Sequence, residues 1–213
     1  MAVSQQVKNF VICSPVGPYF ATGFQAVKLL ADPAFVRAWP GGTGAIKCGG
    51  NYALSMMATK QAQERGCSQV LWLYGQDHQV TEAGTMNLMF LWKTRDGSTE
   101  LVTAPLDGTI LPGITRDSIL ELSRSYGEFE VSERVYTMQD VIEAVQEGRM
   151  IEAFGCGTAV IVCPIKAIDY QGEVYDIPTG EEGIGKLTSR LNEEILDIQY
   201  GVKEFRDWSV VVD

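Results

Sequence analysis

The sequence contains few of the residues that build metal sites and disulfide frameworks. It has one histidine, His78, and five cysteines that are scattered through 213 residues. No two cysteines form a Cys-x-x-Cys pair, and zinc sites draw on clustered cysteine and histidine, so we expect no bound metal. An odd number of dispersed thiols is typical of a reducing compartment. A mechanism built on a histidine base would rest on His78 alone, which shifts general base catalysis towards lysine or a carboxylate.

Positive charge and long apolar runs are also scarce. The chain has 17 lysines and arginines against 27 aspartates and glutamates, and it has no basic cluster. We therefore expect neither nucleic acid nor a membrane among its partners. No run approaches the roughly 18 apolar residues of a membrane-spanning helix. Residues 1–6 lack the apolar core of a secretory signal, so we expect a protein that is not secreted. They also lack the arginines of a transit peptide, but such a peptide would precede Met1, so the expected compartment is the cytoplasm or the mitochondria.

Apolar residues make up 46% of the chain, enough for a substantial core. Strands and single helices are predicted in an irregular order, which indicates an α+β fold with a mixed or antiparallel sheet and helices packed outside it. Asp96-Gly97 predicts a hairpin, while Asn51 and Thr137 are predicted to begin helices as N-caps. The strands are predicted at residues 10–13, 70–74, 86–93, 99–103, 129–136, 151–154 and 160–163, and the helices at 51–65, 115–125, 137–147 and 185–199.

One lysine, Lys47, lies in a stretch of residues 41–52 that contains five glycines. Glycine lets other groups approach the backbone closely, so we expect the Lys47 ammonium group to be crowded. Lysine forms Schiff bases with carbonyl cofactors, and it can lose its proton when it is desolvated. The alternatives are a solvated loop lysine and a lysine that contacts a phosphate.

An aldehyde cofactor such as pyridoxal phosphate on Lys47 would need further groups from the chain. The pyridine nitrogen needs a carboxylate, because its protonation makes the ring an electron sink. Glu82 precedes a strongly apolar strand, and if it is desolvated it also needs a cationic partner. Tyr52 is a candidate donor to the phenolic oxygen. The alternatives are an exposed loop acid for Glu82 and core packing on a helix for Tyr52.

The phosphate of such a cofactor needs an anion site, and two segments are candidates. Residues 111–116 open a helix after a turn, where free backbone N–H groups and the helix dipole attract anions. Residues 155–159 are predicted to form a turn with free amides and the Thr158 hydroxyl. Many helices begin in the first way, and an ordinary hairpin is the alternative for the second segment.

Five short motifs occur in order along the chain. They are Gly-Gly-Asn-Tyr after Lys47, and residues 70–75, 81–87, 111–116 and 154–159. Together they resemble the branched-chain amino acid aminotransferases of the eukaryotic type, which are fold type IV pyridoxal phosphate enzymes. The resemblance runs from about Lys8 to the C-terminus. It implies the large domain with a pseudo-barrel-like sheet, a homodimer, and transamination of leucine, isoleucine and valine with 2-oxoglutarate to give branched-chain 2-oxo acids and glutamate.

The resemblance also implies a role for each candidate residue. Lys47 matches the Schiff-base lysine, which also moves the proton between Cα and the cofactor. Glu82 matches the partner of the pyridine nitrogen, and Tyr52 matches the residue that hydrogen-bonds the phenolic oxygen. The other matches are Leu111 and Gly113 for the ledge under the ring, Ile114, Thr115 and Thr158 for the phosphate, and Thr158 with Ala159 for the substrate carboxylate.

The chain departs from this family in two ways. Mammalian members have a Cys-x-x-Cys redox pair where this chain reads Val160-Ile161-Val162-Cys163, so we do not expect redox switching. Family members also have an N-terminal domain that supplies an arginine to the phosphate and much of the apolar substrate pocket. We expect residues 1–20 to be a remnant of that domain with the interdomain segment, and residues 21–213 to be the cofactor-binding domain. A truncated isoform, a fragment or an incomplete gene model is then expected, with weak or no turnover.

Two other functions remain open. The first alternative to a branched-chain aminotransferase is a non-catalytic fragment that binds full-length subunits. The second is another fold type IV enzyme, such as a D-amino acid aminotransferase or an aminodeoxychorismate lyase. The segment around Trp72 and the C-terminal Gln199-Tyr200-Gly201 favour the branched-chain type.

Overall fold

The computed structural model describes residues 4–15, 17 and 25–210. Within these ranges the chain forms nine strands and four helices. In chain order they are β1 (Val27–Ala31), α1 (Gly49–Glu64), β2 (Gln69–Tyr74), β3 (Gln79–Ala83), β4 (Met86–Lys93), β5 (Thr99–Thr103), α2 (Ile114–Tyr126), β6 (Glu130–Glu133), α3 (Met138–Gln146), β7 (Met150–Gly157), β8 (Ile161–Tyr170), β9 (Glu173–Asp176) and α4 (Lys186–Gln199).

The strands form one mixed sheet that closes on itself. Their order is β3-β2-β1-β8-β7-β4-β5-β6, and β9 pairs with β8. Because β3 also pairs with β4, the first six strands of this order form a barrel. β1 is parallel to β2 and β8, and β5 is parallel to β6, while the other pairs are antiparallel. The predicted α+β fold with a mixed, pseudo-barrel-like sheet is therefore confirmed.

Alternate residues of the barrel strands contribute to different cores. On β4, Phe90 joins the largest apolar cluster, whereas its neighbour Met89 joins a second cluster with Leu191 of α4. On β2, Trp72 joins a third cluster with Ala58 of α1. Strands that are buried on both faces read as continuous apolar runs rather than as alternating ones, which is why β2 and β4 were recognisable in the sequence.

The sequence prediction was wrong at residues 10–13, which form no strand. The apolar side chains there, Phe10, Val11 and Ile12, are exposed, and no neighbouring strand supplies hydrogen bonds to this segment. The strands β1, β3 and β9 were missed, because their register depends on partners that lie far away in the sequence. The expected domain boundary near residue 20 lies outside the described residues.

Helix ends follow local chemistry at most of the predicted positions. Thr137 begins α3 in a capping box, because its hydroxyl accepts from the Asp140 N–H while the Asp140 carboxylate accepts from the Thr137 N–H. Gly127 ends α2 in the left-handed conformation. The N-cap of α1 is Cys48 rather than Asn51, so that prediction was wrong. None of the helices in the described ranges is long and apolar enough to cross a membrane.

Helix α4 begins on a buried carboxylate from β7. The two oxygens of Glu152 accept from the N–H groups of Leu187 and Thr188 at 2.8 and 3.0 Å, and from the Thr188 hydroxyl at 2.7 Å. A Cβ at Gly185 would lie 1.8 Å from a Glu152 oxygen, so only glycine allows this approach. The negative charge at the helix N-terminus stabilises the first turn of α4.

Glu152→Ala is expected to lower the free energy of unfolding by about 3 kcal/mol, because it leaves buried N–H groups of α4 without acceptors. The measurement is urea unfolding followed by far-ultraviolet circular dichroism. Ser189→Ala removes an exposed hydroxyl on the same helix and controls for helix position, with an expected change within about 0.5 kcal/mol. If Glu152→Ala lowers the free energy of unfolding no more than Ser189→Ala does, the role of Glu152 at the start of α4 is contradicted.

Candidate active site

One cavity of about 680 Å³ brings the predicted site residues together. Its wall is built from the segment that carries Lys47 into α1, the β3–β4 turn, the segment that leads into α2, and the β7–β8 turn. These segments are far apart in the sequence, and the closed barrel places them side by side. The predicted residues that line the cavity are Lys47, Tyr52, Glu82, Leu111, Gly113, Ile114, Thr115, Thr158 and Ala159.

The Glu82 carboxylate is the most tightly held group in this cavity. Only 3% of the Glu82 surface is exposed, so the alternative of an exposed loop acid was wrong. One oxygen, Oε1, accepts from the Leu111 N–H at 2.8 Å and from Asn87 Nδ2 at 3.0 Å. The other oxygen, Oε2, lies 3.1 Å from Nε of Arg37. The expected cationic partner of a desolvated Glu82 is therefore Arg37.

Burial controls the protonation of Glu82. Desolvation raises the pKa of this carboxyl from its ordinary value of 4.5 to about 7. The positive charge of Arg37, the Leu111 N–H and the Lys47 ammonium each oppose this rise and lower the pKa in part. The carboxyl group therefore titrates near neutral pH, and an additional cation beside it would favour its charged form.

Arg37 was not singled out in the sequence, although it ties three segments of the site together. Besides its contact with Glu82, its guanidinium donates to the carbonyl oxygens of Thr109 at 3.1 Å and Gly44 at 3.4 Å. The side chain is 9% exposed. The sequence showed that a cation was needed, but nothing local distinguishes Arg37 from the other arginines.

Asn51 fixes the segment that precedes Lys47. Its Nδ2 donates to the carbonyl oxygens of Thr43 and Ile46 at 2.8 and 2.9 Å. The backbone packs most closely at Gly44, where a Cβ would lie 2.6 Å from the Gly108 carbonyl oxygen, and next at Gly42, where it would lie 3.0 Å from the Trp39 carbonyl oxygen. Lys47 itself is exposed where it lines the cavity, so the expectation of a crowded ammonium group was wrong.

Tyr52 lies one turn into α1 and is half-buried at the cavity wall. The alternative of core packing is wrong, because Tyr52 belongs to none of the apolar clusters among the described residues. His78 lies outside the cavity lining, and its Nδ1 pairs with the Tyr170 hydroxyl at 2.5 Å. His78 is therefore assigned no role in this site.

The start of α2 carries free backbone donors at the cavity wall. Gly113 begins α2 without a side-chain cap, so the first N–H groups of the helix have no side-chain acceptor, and Ile114 and Thr115 line the cavity. The β7–β8 turn contributes Thr158 and Ala159, which are both exposed. Residues 155–157 belong to β7, so the predicted turn begins three residues later than expected.

The thiols near the β7–β8 turn are unreactive. Cys156 and Cys163 are buried, and burial raises the pKa of each to about 12. Both side chains therefore remain protonated at physiological pH, and the thiolate is the reactive form of cysteine.

These groups together define a class of site. A lysine, a buried carboxylate paired with an arginine, and an uncapped helix N-terminus surround one cavity. The lysine can bond to a carbonyl carbon, the carboxylate can hold a protonated ring nitrogen, and the helix N-terminus can hold a phosphate. Such a site fits an anionic, aromatic carbonyl cofactor.

The chain belongs to the class IV amino-transferases. The model of this family, described as amino-transferase class IV, matches residues 23–168. A branched-chain-amino-acid aminotransferase of Monosiga brevicollis is 55% identical over 203 residues, which are 95% of this chain and 52% of that relative. The cytosolic enzyme of Ovis aries is also 55% identical, over 95% of this chain and 52% of that relative. The mitochondrial enzyme of Schizosaccharomyces pombe is 51% identical, over 94% of this chain and 48% of that relative.

Solved structures agree with this assignment. A branched-chain amino acid aminotransferase of Escherichia coli is 27% identical with a TM-score of 0.71, over 92% of this chain and 59% of that chain. The enzyme of Thermobaculum terrenum, in its PLP form, is 26% identical with a TM-score of 0.65, over 84% of this chain and 52% of that chain. This chain spans about half the length of the curated relatives that it matches.

Glu82→Gln is expected to remove a pH dependence from the stability of the protein. Because the pKa of Glu82 is about 7 in the folded chain and 4.5 ordinarily, the folded state binds more protons between these values. The stability that this group contributes is fully present below pH 4.5 and is lost as the pH rises through about 7. The loss can reach about 3 kcal/mol.

The measurement is urea unfolding of the wild-type chain and the variant from pH 4 to pH 8. The difference between the free energies of unfolding of the two proteins at each pH isolates the contribution of Glu82 from that of the other titrating groups. Glu64→Gln, which removes an exposed carboxylate on α1, controls for the loss of one negative charge. A difference between wild type and Glu82→Gln that is flat across this range would refute the expected titration.

Proposed function

We propose that this protein transfers the amino group of leucine, isoleucine and valine to 2-oxoglutarate, with pyridoxal 5'-phosphate as its cofactor. The products are branched-chain 2-oxo acids and glutamate. The observation that carries the proposal is that Lys47, the buried Glu82 carboxylate and the N-terminus of α2 line one cavity. The names of the relatives support the choice of branched-chain amino acids as substrates.

The two ends of the cavity match the two ends of the proposed cofactor. Glu82 would hold the ring nitrogen, with Leu111 and Gly113 as the ledge beneath the ring and Tyr52 as the donor to the phenolic oxygen. At the other end, the N–H groups of Ile114 and Thr115 and the hydroxyl of Thr158 would bind the phosphate. Thr158 and Ala159, which both line the cavity, would also donate to the substrate carboxylate.

The chain would use few residues for the chemistry itself. When bound, pyridoxal phosphate supplies an electron sink that stabilises negative charge at the substrate Cα. At rest, Lys47 Nζ would hold the cofactor. Once the substrate amino group has displaced it, the free Lys47 amine would move the proton from the substrate Cα to the cofactor. Glu82 keeps a proton on the ring nitrogen, since its charged form favours a cation in this low-dielectric site.

We also propose a homodimer located in the cytosol or in mitochondria, with residues 21–213 as the cofactor-binding domain.

Exposed apolar side chains in the segment around Lys47 and in α1 support a surface that contacts another protein chain. Ile46 and Leu54 are each 59% exposed, and Met56 and Met57 are 70% and 69% exposed. These four side chains are close together in the sequence, and contiguous exposed apolar patches mark protein contact sites. Sedimentation equilibrium tests the dimer, and a monomer across the micromolar range would contradict it.

Reductive trapping tests whether Lys47 carries the cofactor. After pyridoxal phosphate is added, borohydride reduction fixes the cofactor on the lysine that bears it, and peptide mass spectrometry locates that lysine. We expect one modified residue, Lys47, and no modification in Lys47→Ala. Lys60→Ala removes an exposed lysine of α1 and should be modified as the wild type is. Equal modification of Lys47→Ala and wild type would overturn the proposal.

A donor comparison tests the substrate class. With 2-oxoglutarate as acceptor, leucine, isoleucine and valine are expected to form glutamate faster than D-alanine does, because the relatives are branched-chain enzymes. The same assay tests the expectation of weak turnover. Preference for D-alanine would favour another fold type IV enzyme, and cofactor trapping without any glutamate would favour the non-catalytic alternative.

A further inference from the structure

The β3–β4 hairpin places two polar side chains opposite each other in the cavity wall. In its register Glu82 pairs with Asn87, and directly opposed side chains lie within contact distance. Both residues are buried, with 3% and 5% of their surfaces exposed. Buried polar groups need hydrogen-bond partners, so the partners of Asn87 show what this residue connects.

Asn87 closes a small network between Glu82 and the segment that leads into α2. Its Nδ2 donates to Glu82 Oε1 at 3.0 Å and to the Leu111 carbonyl oxygen at 2.8 Å. The Leu111 N–H donates to the same Oε1 at 2.8 Å. Three groups from two distant parts of the chain therefore hold one another in place.

This network distinguishes the two oxygens of Glu82. Oε1 already accepts two hydrogen bonds, from Asn87 and Leu111, while Oε2 faces the Arg37 guanidinium. A carboxylate oxygen accepts about two hydrogen bonds, which leaves Oε2 as the oxygen with capacity for a ring N–H.

The same asparagine packs against the start of α2. A Cβ at Gly113 would lie 2.2 Å from Asn87 Oδ1, so the backbone passes directly over the amide. Gly113 is the N-cap of α2, whose first residues also line the cavity. Asn87 thus contacts both the Glu82 carboxylate and the backbone that begins α2.

We propose that Asn87 is a positioning residue that fixes the Glu82 carboxylate relative to the N-terminus of α2. The spacing between a ring-nitrogen partner and a phosphate site must match a rigid cofactor, and groups fixed before binding lose less freedom when the ligand arrives. This inference rests on the proposed function.

The first experiment uses the cofactor-free chain and measures hydrogen exchange at the Leu111 amide. Asn87→Ala removes the amide, and Asn87→Asp keeps its size but removes both donated hydrogen bonds. We expect Leu111 to exchange about tenfold faster in both variants, because Glu82 is no longer held against the Leu111 N–H. Thr103→Val removes a buried hydrogen bond to the Leu88 carbonyl oxygen and should leave exchange at Leu111 unchanged.

The second experiment adds pyridoxal phosphate to the same four proteins. The dissociation constant is expected to rise roughly tenfold in both Asn87 variants and to stay unchanged in Thr103→Val. Cofactor labelled with nitrogen-15 in the ring reports the proton on the bound ring nitrogen. In Asn87→Ala this proton should be lost at a pH about one unit lower than in the wild type, since the carboxylate is less firmly held.

The outcomes separate this inference from the proposed function. Unchanged exchange at Leu111 would overturn the role of Asn87 without reference to any cofactor. Faster exchange with unchanged cofactor affinity and unchanged ring protonation would show a structural residue rather than a positioning one, and would also overturn it. A wild-type chain that takes up no pyridoxal phosphate would overturn the proposed function, and this role of Asn87 with it.

Discussion

The contact between Arg37 and Glu82 is the interaction on which the cavity depends. Two opposite charges lie 3.1 Å apart with 9% and 3% of their side chains exposed. Each is costly to bury alone, and removal of one partner from a buried pair typically destabilises a protein by about 3–5 kcal/mol. The pair also links the strand β3 to the two segments whose carbonyl oxygens Arg37 contacts, and both side chains line the cavity.

The barrel closure explains how such a pair can form. β3 and β4 form a hairpin whose short turn brings Glu82 opposite Asn87, and the same pairing closes the sheet on itself. The segment from Leu111 then completes the carboxylate's hydrogen bonds before the chain enters α2. The Glu82 carboxylate and the segment that leads into α2 are therefore joined directly by hydrogen bonds, rather than carried on independent loops.

Much of this fold and site was predictable wherever the determining chemistry is local. The Asp96-Gly97 hairpin and the Thr137 capping box depend on residues within a few positions of one another. The ordered motifs located the residues that line the cavity. Arg37 and Asn87 could not be found in the same way, because the contact of Arg37 with Glu82 and that of Asn87 with Leu111 join segments that only the folded chain brings together. Residues 10–13 show the converse, since an apolar run without a pairing strand does not become a strand.

The account's central claim is that Glu82 holds a cationic ring nitrogen when the cofactor is bound. A carbon-13 titration of the Glu82 carboxyl, assigned with Glu82→Gln, tests it most directly in the same chain with and without pyridoxal phosphate. The account predicts a pKa of about 7 without the cofactor and a clear fall when it is bound, because a nearby cation favours the carboxylate. A Glu82 pKa that is unchanged when the cofactor is bound at Lys47 would contradict the claim.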